Sequence, residues 1–370
     1  MSHDPITIAD GGSTGRFASV YRVLRDAIAS RAFPGCAFGV LSGNRIVLQD
    51  ALGRFTYEDD APSVQPGSIF DLASVTKVVA TTAMAMLLHQ HGQLDLDQPV
   101  GDLLPGFVVG REPGSAARRV TLRHLLAHSS GLPAYVEFFR TATTPAALFQ
   151  ACLELPLEAE PGARAAYSDP GFILLGKALE LVAHERLRSF THREIFEPLQ
   201  MQATCFCPAA ARRSAIPPTE EDATFRHRRI QGEVQDENAF VLKGVSGHAG
   251  LFSCVPDLLR FSAEVLRAVA PSGQPSLFRR QTVETFAERQ APAGSSRAIG
   301  WDTPSQNSSA GLHFSPHSIG HLGYSGCSLW IDLDAAIGVV LLANRTWPDR
   351  SCQLIRQVRP AFHNAVREAI

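Results

Sequence analysis

The chain lacks any hydrophobic run approaching the roughly 20 apolar residues of a membrane-spanning helix. It also lacks a surplus of either charge: 34 Lys and Arg stand against 36 Asp and Glu, a formal net charge of -2. That balance gives no long-range field suited to nucleic acid or an anionic membrane, and neither is expected as a partner. Residues 1–17 lack the basic start and apolar core of a secretory leader, so cytoplasm is the expected address, or periplasm if a leader has been removed. Seven cysteines, an odd number without a disulfide-framework spacing, are expected as buried or free thiols. No Gly-x-Ser-x-Gly elbow is present, which argues against an α/β-hydrolase. No His-Glu-x-x-His occurs, Cys205-Phe206-Cys207 has no partner pair, and no Gly-rich loop opens a helix. Neither a metal nor a cofactor is expected.

What the chain does have is 370 residues with 45% hydrophobic and 19% charged content, ordinary for a globular enzyme with a sizeable core. A first helix is expected near Ser19–Arg31. Gly35–Val40 and Arg45–Leu48 read as strands around the Ser42-Gly43-Asn44 turn, and Gly53–Tyr57 could add another. Ser74–Gln90 carries apolar residues at helical spacing and stops at Gly92. Helices and Pro/Gly-punctuated loops follow, including Leu122–His128 and Phe172–His184, then an exposed connection over Cys207–Asp222. Cys327–Leu333 and Ile337–Ala343 read as a hairpin, and Ser351–Ile370 as a closing helix. The fold class is therefore α/β (α+β), with an antiparallel sheet built from both chain ends and flanked by helices. Residues 1–77 and 240–370 form the expected discontinuous sheet domain, residues 78–239 a mainly helical insertion, with the active site at their interface.

Ser74-Val75-Thr76-Lys77 is the sharpest chemical signal. Residues three apart share a helix face, so the Lys77 amine can reach the Ser74 hydroxyl. A serine needs a neighbouring base to become a nucleophile. An amine serves only if burial or a helix N-terminus pulls its pKa below the free value of about 10.4. A solvated serine and a surface lysine at the same spacing are the bland alternative. The apolar Val78-Val79-Ala80 after Lys77 argues against it, and neither Lys177 nor Lys243 has a serine three residues earlier.

Phe70-Asp71-Leu72-Ala73-Ser74-Val75-Thr76-Lys77 resembles the nucleophile segment of the serine β-lactamase and penicillin-binding-protein superfamily. The resemblance continues in chain order through Thr121–Pro133, Pro161–Arg164, Tyr167-Ser168-Asp169, Asp236–Ala239, Gly247–Ser253, Gly320–Gly323 and Leu341–Pro348. It implies a β-lactamase/transpeptidase-like fold and hydrolysis through a Ser74 acyl-enzyme with Lys77 as base.

The same resemblance makes Tyr167 a proton shuttle in the second motif, where Asp169 replaces the usual Asn and when ionised can only accept hydrogen bonds. Tyr57-Glu58-Asp59 also reads Tyr-x-Asp but lies before the nucleophile. Two segments read His-x-Gly. His321-Leu322-Gly323 leads toward the hairpin and is preferred for the third motif, with the Tyr324 N–H as second oxyanion donor beside Ser74. His248-Ala249-Gly250 is expected to serve packing. His321 instead of Lys, and Asp349 where relatives carry Asn, disfavour a carboxylate despite Arg345 and Arg350 nearby. A small neutral ester or amide is the expected substrate, most readily an ester. A D-Ala-D-Ala carboxypeptidase or weak β-lactamase, or a sensor that is acylated without turnover, are the alternatives.

Overall fold

The computed structural model describes residues 7–8, 15–271 and 273–370. The reading of residues 1–17 as leaderless falls mostly outside them. In chain order the strands are β1 (Thr7–Ile8), β2 (Gly35–Ser42), β3 (Arg45–Gly53), β4 (Phe70–Asp71), β5 (Cys205–Phe206), β6 (Glu220–Asp222), β7 (Arg228–Ile230), β8 (Leu251–Ser253), β9 (Ser318–Leu322), β10 (Ser328–Asp332) and β11 (Ile337–Ala343).

Six of them form one sheet in the order β1-β3-β2-β11-β10-β9, antiparallel except for the parallel pair β1 and β3. Both chain ends therefore contribute, as expected. β10 and β11 make the expected hairpin, with Ser328 opposite Leu341 and Asp332 opposite Ile337. β11 then pairs with β2, Ala343 opposite Cys36, which joins the two ends at the centre.

Both faces of this sheet are covered, and period-two alternation assigns the side chains. Phe38 and Val40 of β2, with Val339 and Leu341 of β11, pack under the helices Ala18–Ala29 and Ile355–Glu368. Ala37, Leu41, Val340 and Leu342 face the helix Val255–Val269. A strand buried on both sides reads as a continuous apolar run, which is how Ile337–Ala343 reads. Phe38 makes edge contacts with Tyr21 and Phe362 at 5.6 and 6.2 Å between ring centres, and burying such a ring stabilises by roughly 1.5–3 kcal/mol.

Some expectations shift. β3 extends to Gly53, but Gly53–Tyr57 is not a strand, because only an isolated bridge joins Arg54 to Ser63. The helix expected from Phe172 begins at Asp169, since the Ser168 hydroxyl caps it by accepting from the Gly171 N–H at 3.1 Å. The connection Cys207–Asp222 is exposed only over its first half. Ile216–Glu220 is buried, where β6 pairs with β7 and Asn344 donates to the Pro218 carbonyl. All seven cysteines are free thiols. Among the described residues, no helix is long and apolar enough to cross a membrane.

Candidate active site

A small second sheet, β4-β8-β5, aims the Ser-x-x-Lys segment. Phe70 pairs with Ser253 and Asp71 with Phe252, after which the chain turns through a 3-10 turn over Ala73–Val75. Ala73 has φ of 46°, the left-handed region that a residue with a Cβ rarely adopts. The helix expected over Ser74–Gln90 is present but irregular, with wide π turns over Lys77–Thr82 before regular α-helix at Ala83–Gln90. Lys77 and Thr81 share a face of it and donate to consecutive carbonyls: Lys77 Nζ to His248 at 3.0 Å and Thr81 Oγ1 to Gly247 at 2.7 Å. The loop carrying those carbonyls lies directly on the helix Asp169–Ala183. A Cβ on Gly247 would stand 2.1 Å from the Phe172 carbonyl oxygen, so only glycine fits.

Four expected residues converge here. Lys77 Nζ is 3.1 Å from Ser74 Oγ and 2.6 Å from Asp169 Oδ1. Tyr167 Oη is 2.6 Å from Ser74 Oγ and 3.1 Å from Asp169 Oδ1. A phenol has one proton and an ionised Asp169 can only accept. When Tyr167 donates to Asp169 its lone pair accepts from the Ser74 hydroxyl, and when it donates to Ser74 it makes no hydrogen bond to Asp169. An ammonium at Lys77 has three protons and three acceptors around it. A neutral amine keeps two donors, for Asp169 and the His248 carbonyl, and turns its lone pair to Ser74.

Burial sets the charges. Lys77 is wholly buried, and loss of hydration lowers its pKa even though Asp169 pulls it back up. Burial, then the Asp169 charge, pushes the Tyr167 phenol well above its ordinary value. His321 is held well below its ordinary value by burial and by the charges of Lys77 and Arg297, so it is neutral near pH 7. Its Nδ1 lies 2.8 Å from the Leu322 carbonyl, which can only accept, so the proton sits on Nδ1. Its Nε2 is left as a buried acceptor without a partner, unable to donate to an ester carbonyl.

The sequence reading undervalued His248. Its carbonyl anchors Lys77, and its ring bridges Ser246 Oγ at 2.7 Å and Asp236 Oδ1 at 2.8 Å. Burial opposes ionisation of Asp236, yet His248 holds its carboxyl down to about 2. Asp236 and Arg297 were not singled out as site residues. Asp236 was visible only inside a quoted segment, and nothing around Arg297 marks it.

A cavity of about 590 Å³ opens on Ser74, and Tyr167, Asp169, Asp236, His321, Gly323 and Tyr324 line it. Gly323 and Tyr324 begin the tight turn after β9, closed by the Gly326 N–H on the Gly323 carbonyl at 3.1 Å. Arg345, Arg350, Arg356 and Arg359 also reach this cavity, whereas Asp349 does not. The Asp349 side chain is exposed and accepts from the Ser351 N–H at 2.8 Å. The expected repulsion of a carboxylate by Asp349 is therefore corrected: the motif's last residue turns to solvent. The wall carries arginines together with the carboxylates of Glu137, Glu237 and Asp302, Arg350 being paired with Glu220 and Glu237.

The family model described as Beta-lactamase matches residues 20–361. The chain is 30% identical over 371 residues to an N-acetylmuramyl-L-alanine amidase of Bacillus subtilis (strain 168), covering 90% of this chain and 82% of that protein. It is also 30% identical over 345 residues to a candidate D-alanyl-D-alanine carboxypeptidase of Escherichia coli (strain K12), covering 85% and 79%. Among solved structures, EstCE1, a hydrolase with promiscuous acyltransferase activity, superposes with a TM-score of 0.74 at 24% identity, over 95% of this chain and all of that one. That likeness speaks for the fold alone.

Proposed function

We propose, from the premise that this chain belongs to the β-lactamase family of serine hydrolases, that it works through a Ser74 acyl-enzyme on small neutral esters. One observation carries the reading: Ser74 Oγ is within hydrogen-bond reach of both Lys77 Nζ and Tyr167 Oη. Ser74 Oγ bonds to the carbonyl carbon while its proton passes to neutral Lys77. The bond to the leaving alkoxide breaks as the alkoxide takes the Tyr167 proton, which Lys77 returns through Asp169, a group both touch. Water then attacks the acyl carbon over the same proton path and frees Ser74. The lowered Lys77 and raised Tyr167 pKa values support amine as base and phenol as acid.

The Ser74 and Tyr324 N–H groups are read as the oxyanion donors. The discontinuous sheet unit (1–77 and 240–370) and helical unit (78–239), meeting at Ser74, belong to this reading. Neutral His321 where a cation would hold a carboxylate supports the neutral ester.

A second reading, a D-alanyl carboxypeptidase or amidase, is favoured by the two relatives at 30% identity and by arginines such as Arg356 on a cavity wall of mixed charge. It requires access to cell wall, whereas the ester reading goes with a cytoplasmic address. A fluorophosphonate probe should label the peptide holding Ser74, and Ser74→Ala should abolish labelling; label on Ser129 or Ser325 overturns the assignment. Aryl esters compared with D-alanyl peptides and a chromogenic cephalosporin separate the substrate readings.

A further inference from the structure

Asp71 touches three of the segments that frame the cavity beside Ser74. It is 2% exposed and ends β4. Its Oδ1 accepts from the Ala73 N–H at 2.8 Å, one residue before the nucleophile. Its Oδ2 accepts from the Gln235 N–H at 2.7 Å, one residue before Asp236 on the cavity wall. Its main-chain carbonyl accepts from Ser325 Oγ at 2.7 Å, one residue after Tyr324. Burial raises the Asp71 carboxyl to about 6, despite those two N–H donors, so it is an anion in mildly alkaline solution.

The turn that carries Tyr324 is pressed onto the same strand end. A Cβ on Gly323 would lie 2.3 Å from the Leu72 carbonyl oxygen. Arg345 Nε donates to the Tyr324 carbonyl at 2.7 Å, fixing the far side of that peptide. On the near side, the hydroxyl of Ser325 makes the short polar link to the nucleophile segment, with the weaker Cys327 thiol 3.5 Å from the same Asp71 carbonyl. Ser325 is 1% exposed, so water does not replace that link.

We infer that Asp71 and Ser325 are positioning residues that set the spacing between the Ser74 and Tyr324 N–H groups. Asp71 fixes the left-handed Ala73 that aims the Ser74 N–H, and through Ser325 it fixes the peptide that aims the Tyr324 N–H. Neither residue touches substrate. Two donors held by one residue keep their separation as the carbonyl oxygen gains charge, which is when a misplaced donor is most costly. The inference rests on the Ser74 acyl-enzyme reading.

The test compares wild type, Ser325→Ala, Ser325→Thr and Asp71→Asn at about pH 8, with an aryl ester and an aryl boronic acid. The boronic acid bonds to the nucleophile and places an oxygen in the donor pair, so it reports the tetrahedral state. Ser325→Ala should lose about tenfold to hundredfold in kcat with KM little changed, the scale for a displaced donor. Boronic acid affinity should fall by the same factor and Ser325→Thr should restore both. Asp71→Asn, which keeps the main-chain carbonyl under Ser325 but sets an NH2 against the Ala73 or Gln235 N–H, should lower kcat and boronic acid affinity through the Ala73 turn. If Ser325→Ala does not fold, Ser325→Cys, which keeps the volume and donates weakly, is read in its place. Unchanged kcat or unchanged boronic acid affinity overturns the positioning role. Retained activity in Ser74→Ala overturns the acyl-enzyme reading itself, a separate result.

Discussion

Lys77 Nζ stands 2.6 Å from Asp169 Oδ1, with the lysine fully buried and the carboxylate partly open to the cavity. Burial lowers the amine's pKa and the carboxylate raises it, so Asp169 decides how much neutral base exists at a given pH. A neutral base makes the acylation rate climb as pH rises through the Lys77 pKa. Asp169→Asn removes the charge that favours ammonium, so this rising limb should move to lower pH in a kcat/KM profile. A limb that stays in place or moves up would separate Lys77 from the rate.

Lys77→Arg keeps a cation but cannot give up its proton. The variant should fold, as judged by circular dichroism, and lose at least about 10²-fold in single-turnover acylation. Near-normal acylation would hand the base role to Tyr167.

Tyr167→Phe removes the phenol that the proposed mechanism uses to protonate the leaving group. A nitrophenolate departs without that help and an alkoxide does not. The loss should therefore be at least about tenfold larger for an alkyl ester than for a nitrophenyl ester of the same acid. Equal losses would show that Tyr167 acts elsewhere in the cycle.

Substrate choice can now be tested with the two departures separated. Asp349 faces solvent, so Asp349→Asn should change kcat/KM for ester and cephalosporin by less than about twofold. His321→Lys adds a cation beside the cavity, and a charge-assisted contact contributes about 1.5–3 kcal/mol. It should favour the carboxylated substrate over the ester by roughly tenfold or more. An unmoved ratio would mean that the arginines alone handle any carboxylate.

Gly247→Ala sets a methyl against the Phe172 carbonyl where backbone faces backbone. Overpacking of this kind costs about 1–3 kcal/mol. The melting temperature should fall, with Lys77 losing its carbonyl anchor as the loop lifts. A wild-type melting temperature would mean that the loop has room it does not show here.

Much of this was legible because it is written locally. Ser74 and Lys77 share one turn, and the β10–β11 hairpin is a run of alternating or apolar residues. The helix after Tyr167 shows in its apolar residues from Phe172, although its start at Asp169, capped by Ser168, lies three residues earlier than expected. Other parts depend on what folds onto what. His248 and His321 both read His-x-Gly, and only the chain path puts one carbonyl on Lys77 and one imidazole beside Tyr167. Asp349 and Arg345 lie within one short loop, yet one points to water and the other into the cavity. The π turns at Lys77–Thr82 answer to carbonyls supplied by residues 247 and 248, which no local pattern records.

The pairing of β2 with β11 has a consequence for how the protein is made. During synthesis Ser74, Lys77 and Tyr167 leave the ribosome well before β9 and the Tyr324 turn exist. On the proposed mechanism the nucleophile is thus complete in sequence while the second oxyanion donor is still untranslated, and a nascent or truncated chain ending before β9 should carry Ser74 without the means to use it. Throughout that interval β2, the buried centre of the finished sheet, is an apolar edge awaiting residues 337–343. That strand is where a stalled chain is most exposed to wrong partners and where a chaperone has most to protect.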